Sequence, residues 1–143
     1  MVNMVLIHDT EGPYQASIDY LLQSGASVHY ILRSSDGDIT QMVREVNAAW
    51  HAGNLSYNRR SIGIEHEGYA NAAANWYTDT MLTASAKLVA DICRRYNIPI
   101  DRDHIIGHYQ VPDPYHAGLF GGESHHTDPG AGWPWNKYIQ MVQ

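Results

Sequence analysis

The spacing of apolar and polar residues divides this chain into a small set of elements. Val2 to Ile7 is short, apolar and rich in β-branched residues, which predicts a buried strand ending at His8, with a loop from Asp9 to Pro13 after it. From Tyr14 to Gln23 the residues Ile18, Leu21 and Leu22 recur at helical spacing, and Ser24-Gly25 supplies the stop. Ser27 to Leu32 and Ile39 to Val43 flank Asp36-Gly37, a pair suited to the positive φ angles of a tight turn, so together they predict a β-hairpin. Ser61 to Glu67 alternates Ile62 and Ile64 with polar positions and reads as a strand with an acidic end, Glu65 and Glu67. The longest periodic run puts Leu82, Ala86, Val89, Ile92, Cys93 and Tyr96 on one face of a helix capped by Asp79 or Thr80. Ile105-Ile106 leads into Gly107-His108, and a last helix is expected from Trp135 to Met141.

Between those last two elements, Gln110 to Trp135 is irregular and rich in proline and glycine. A long irregular stretch inside a compact domain is usually functional. Repeats, low-complexity tracts and linkers are absent from the sequence, so residues 1–143 are expected to form a single domain, of a length able to bury one core.

Composition narrows the function classes. The net charge of -6, without a run of Lys or Arg beyond the pairs Arg59-Arg60 and Arg94-Arg95, argues against nucleic acid, whose phosphates need a basic footprint. The lone cysteine, Cys93, gives no disulfide framework and reads as a small core residue. No apolar stretch is long enough to span a membrane, and the N-terminus lacks a secretory signal pattern. The expectation is a monomer without membrane contact, either made in the cytoplasm without a leader or serving as the catalytic module of a longer secreted chain. Ten tyrosines and four tryptophans against one phenylalanine would suit a carbohydrate or peptide groove, although such residues also serve core and rim.

The chemistry is carried by histidine. The chain has nine, and His8, His108 and the pair His125-His126 fall where a strand gives way to a loop, where converging side chains can build a site. A catalytic zinc takes imidazole nitrogens and carboxylate oxygens and keeps one position for water. Spacing alone does not choose the ligands, because His8 and His108 are a hundred residues apart and no compact H-E-x-x-H word is present.

Four separated words, in order, resemble the type 2 N-acetylmuramoyl-L-alanine amidases, which are related in fold to the peptidoglycan recognition proteins. They are Val5-Leu6-Ile7-His8; Ala49-Trp50-His51-Ala52-Gly53; Asn58-Arg59-Arg60-Ser61-Ile62-Gly63-Ile64-Glu65; and the stretch from Ile106-Gly107-His108 to Thr127-Asp128-Pro129-Gly130. The resemblance implies an α/β fold with a central mixed β-sheet flanked by helices. It implies Zn²⁺ held by His8, His108 and Asp128, with Glu65 in the catalytic position and His126 as a donor to the oxyanion. It further implies a substrate groove lined by Trp50, His51 and Asn58. The implied reaction is hydrolysis of the amide between N-acetylmuramic acid and L-alanine in peptidoglycan, in wall lysis, remodelling or recycling.

The chain departs from the family in three places. The segment between His108 and Asp128 is longer than in many members. Position 126 holds histidine where many have lysine, which brings a group that titrates near neutrality. Val28 precedes the hairpin histidine, His29, where some members have tyrosine. Glu67 is expected to be structural or to support the site, His125 to be a loop residue near it, and His66, His104 and His116 to lie at the surface or in packing. Two other readings compete: a non-catalytic peptidoglycan-binding module, which typically lacks a ligand, and a zinc peptidase acting on stem peptides.

Overall fold

A computed structural model describes residues 1–113 and 124–143. Its centre is a mixed sheet of five strands in the order β3-β2-β4-β1-β5. They are β1 (Met4–Asp9), β2 (Tyr30–Leu32), β3 (Ile39–Gln41), β4 (Ser61–His66) and β5 (Ile105–Gly107). β1 runs parallel to β4 and β5, β2 runs parallel to β4, and only β2 and β3 are antiparallel. Strand β1 is buried along its whole length, as its apolar sequence requires for a central strand covered on both faces.

The α-helices are α1 (Tyr14–Ser24), α2 (Leu55–Arg60), α3 (Ala73–Trp76), α4 (Asp79–Tyr96) and α5 (Trp135–Val142). The long helix matches its predicted stripe, burying Leu82, Ala86, Val89, Ile92 and Cys93, and it adds Met81 and Ser85. Its cap is Thr78, whose hydroxyl accepts from Met81 N at 3.1 Å, one residue before the expected Asp79. With α5 it covers one face of the sheet, where Val5, Ile7, Ile62, Ile64 and Ile105 meet Trp133, Tyr138 and Val142 in the main core.

The hairpin between β2 and β3 is present, but its connection differs from a tight two-residue turn. Arg33 N donates to Asp38 O, and Gly37 N donates back to Arg33 O, each at 2.9 Å. Only Gly37 takes positive φ, at 72°, while Asp36 pairs with Arg33. A side chain at Gly37 would also collide with Thr80 and Ala84 of α4, at 2.9 Å, so the loop tip is packed against the helix.

Candidate functional site

Alternate residues of a strand point to opposite faces of its sheet, and here the alternation separates core from site. The face away from α4 carries Met4, Leu6 and His8 of β1 and Ser61, Gly63 and Glu65 of β4. Register pairs Leu6 with Gly63 and Ile106, and His8 with Glu65. His108 follows β5 directly, so the two histidines and the glutamate stand together at the carboxyl ends of parallel strands, where α/β sheets commonly place ligands. A small apolar cluster of Met4, Leu6, Ala52, Ile106 and Val111 supports them from below.

Asp128 arrives on the loop before α5, tied to the end of β5 by Tyr109 N donating to Asp128 O at 3.2 Å. Its carboxylate lies 3.0 Å from His8 Nδ1 and 3.1 Å from His108 Nδ1. One ligand atom from each of the three lies within 4.8 Å of the others.

The donor set fits a cation. His108 Nε2 lies 3.0 Å from Ala52 O, which can only accept, so that nitrogen carries the proton and a neutral His108 presents a bare Nδ1 to Asp128. Two acceptors in contact are reconciled only by an added positive charge between them. Burial, and then His108, pushes His8 below its ordinary pKa, which favours the neutral ring that a metal ligand needs. Two imidazole nitrogens and one carboxylate match a catalytic zinc site.

Glu65 lies beside this triangle. Its Oε2 is buried and has no hydrogen-bond partner among the described residues. Burial, with Asp128 and Asp9 adding negative charge, pushes its pKa well above the ordinary value. It also lines a cleft of about 350 Å³ bounded by Thr10, Glu11 and Gly12 and by Ala16, Ser17, Tyr20 and Leu21 of α1. A carboxylate with an unused oxygen at an open cleft is placed to exchange protons with a guest molecule.

Other expected residues take different places. Trp50 is exposed. Asn58 is buried, and its Oδ1 accepts from His51 N at 3.0 Å and Ala52 N at 2.8 Å. Both ring nitrogens of His51 are engaged: Nδ1 meets His8 Nε2 at 2.8 Å and Nε2 meets Ser61 Oγ at 3.1 Å. His126 lies flat on His108, with ring centroids 3.6 Å apart, and burial, His108 and His125 lower its pKa to about 4. The ring is then neutral at pH 7 and keeps one N–H to donate.

Of the remaining histidines, His125 pairs with Asp113 at 2.5 Å, and Asp113, His125 and His126 form a second group of donors within 4.8 Å. His66 is fully buried and His104 pairs with Asp101, whereas His116 lies outside the described residues. Glu67 is structural, accepting from Tyr14 N and Ser34 N at 2.8 Å each. Two features escaped the sequence reading. One is Tyr77, whose hydroxyl lies 2.8 Å from Asp9 Oδ2 and 2.7 Å from Pro129 O, joining the neighbours of two of the three converging residues. The other is the α1 side of the cleft, where Tyr20 is exposed despite its place in an amphipathic helix.

The chain matches the N-acetylmuramoyl-L-alanine amidase family over residues 1–131. It is 39% identical to N-acetylmuramoyl-L-alanine amidase A of Achromobacter lyticus, over 96% of this chain and 81% of that protein. It is 32% identical to the 1,6-anhydro-N-acetylmuramyl-L-alanine amidase AmpD of Citrobacter freundii, over 91% of this chain but only 63% of that one. Among solved structures it resembles the amidase AmiD from E. coli in complex with anhydro-N-acetylmuramic acid-L-Ala-D-gamma-Glu-L-Lys, with a TM-score of 0.76 and 26% identity, covering 98% of this chain and 57% of that one. AmpDh3 from Pseudomonas aeruginosa in complex with anhydromuramic pentapeptide is similar at a TM-score of 0.77 and 25% identity, covering 98% and 59%. The chain thus spans less than two thirds of these last three proteins.

Proposed function

This chain belongs to the N-acetylmuramoyl-L-alanine amidase family, and from that premise we propose that residues 1–143 act as one catalytic domain in which His8, His108 and Asp128 hold Zn²⁺. The reaction is hydrolysis of the amide joining N-acetylmuramic acid to L-alanine in peptidoglycan. The observation that carries the metal assignment is the convergence of two histidine nitrogens on one carboxylate at 3.0 and 3.1 Å. A bound zinc would polarise a carbonyl oxygen and acidify water.

The protein's own residues supply the proton handling. Glu65 takes a proton from the attacking water as the new C–O bond forms, and returns it to the alanine nitrogen as the C–N bond breaks. Burial, with Asp128 and Asp9 adding negative charge, raises its pKa and so makes its carboxylate a stronger base. His126, neutral, directs its one N–H to the oxygen on which charge develops. The cleft between Glu65 and α1 takes one flank of the muramyl peptide, and Trp50 forms an exposed apolar wall.

The test is metal analysis combined with release of new alanine amino termini from purified peptidoglycan, before and after chelation. About one zinc per chain and chelator-sensitive release are expected. A chain without zinc that releases no amine yet sediments with peptidoglycan would instead be a binding module.

A further inference from the structure

The two residues that follow Trp50, His51 and Ala52, make hydrogen bonds whose donors and acceptors can be assigned. Ser61 has one hydroxyl proton, given to Tyr57 O at 2.6 Å, because a carbonyl can only accept. The contact of 3.1 Å between Ser61 Oγ and His51 Nε2 then needs the proton on the ring, so Nε2 of His51 donates. A neutral His51 is left with a bare Nδ1, and that atom lies 2.8 Å from His8 Nε2. His8 must therefore carry its proton on Nε2, which leaves Nδ1 bare and facing Asp128 at 3.0 Å.

The next residue of the same loop makes the matching contact for the second histidine. Ala52 O accepts from His108 Nε2 at 3.0 Å, which again leaves Nδ1 bare. Asn58 Oδ1 accepts from both backbone N–H groups of this dipeptide, at 3.0 and 2.8 Å, and so fixes its position. Gly63 gives the His51 ring its space, since a Cβ there would come within 2.6 Å of His51 Nδ1.

We infer that the dipeptide His51-Ala52, pinned by Asn58 and seated over Gly63, sets the tautomer of both histidine ligands, and that His51 is a positioning residue for the metal centre. The inference rests on the metal centre proposed above. It assigns His51 and Asn58 to the ligands rather than to substrate. Partners that fix tautomer and ring orientation in this way typically account for tenfold to hundredfold in metal affinity.

The experiment measures zinc affinity by competition with a chromophoric chelator, together with the ¹⁵N shifts of His8 in metal-free wild-type protein. The His51→Ala and Asn58→Ala variants should each bind zinc roughly ten- to a hundredfold more weakly. His51→Asn keeps an acceptor where Nδ1 stood and should recover part of that loss, as should Asn58→Asp, which keeps the accepting oxygen. In the wild type, the ¹⁵N shifts should show His8 protonated at Nε2 and bare at Nδ1.

Unchanged affinity in His51→Ala, equal affinity in His51→Ala and His51→Asn, or a proton found on His8 Nδ1 would each overturn the inference. If a variant does not fold, the wild-type ¹⁵N shifts decide. A wild-type chain that binds no zinc while showing the expected His8 tautomer would overturn the metal centre and the affinity claim, and leave the hydrogen-bond assignment standing.

Discussion

His8 on β1 and His66 on β4 are both buried in one sheet, on opposite faces, and they show what separates a packing histidine from a working one. His66 lies on the α4 face. Its Nδ1 donates to His8 O at 3.0 Å, and its Nε2 accepts from Ser85 Oγ at 2.6 Å, which accepts in turn from Tyr138 OH at 2.7 Å. Every polar atom of the ring is matched, and burial pushes its pKa to about 3, so it stays neutral. His8 has one nitrogen matched in the same way by His51, while the other faces a carboxylate with no proton of its own to give. Burial is common to both; the unmatched nitrogen makes the site.

The contrast yields graded tests. The largest effect is expected from Asp128→Ala, which removes the carboxylate from the triangle: bound zinc and amide hydrolysis should both fall to background, while the near-ultraviolet spectrum of the tryptophans packed with α5 stays native. Retained stoichiometric zinc would break the comparison at its centre. Next is Glu65→Gln, which should slow hydrolysis by about 10²–10⁴-fold with zinc content unchanged. A loss of metal instead would make Glu65 a ligand.

His66→Ala should act in the opposite sense. Chemical denaturation should show a loss of about 2–4 kcal/mol, from the cavity and the stranded Ser85–Tyr138 pair, with zinc stoichiometry preserved. If zinc is lost and stability is not, the two faces are not independent.

The smallest effect concerns Glu45, which accepts from Arg95, Tyr30 and Tyr96, and whose pKa is lowered to about 2, first by its hydrogen bond with Arg95. A depressed carboxyl stabilises the fold above its unfolded pKa, near 4.5, and loses that contribution as pH falls towards 2. Because Arg95 is partly exposed, Glu45→Gln should cost only about 1 kcal/mol at neutral pH, and its unfolding curve should converge on that of the wild type below pH 2. A gap that persists in acid would mean that packing, and not charge, holds Glu45.

Much of this frame is legible in local pattern. β1, the hairpin, α1, α4 and the terminal helix follow from apolar period and stop signals, because each is decided by which side chains must leave water. Short elements are less visible: α2 has six residues and α3 four, too few for a period to repeat, and their positions depend on tertiary contact. At the site, sequence words pick out His8, Glu65, His108 and Asp128, which the fold brings to one sheet face. The role of the word around His51 is not legible, since nothing local reveals that its ring meets His8 across 43 positions of chain. The stacking of His126 on His108 is hidden in the sequence for a similar reason, as it depends on a fold that brings the rings together.

The triangle of His8, His108 and Asp128 joins residues separated by up to 120 positions. A chain emerging from the ribosome therefore carries an incomplete centre until residue 128 is out and the loop has docked beside β1. A hydrolase whose centre is closed by so late a residue is silent during its own synthesis, and any metal held at these three residues would count only those molecules that have finished folding.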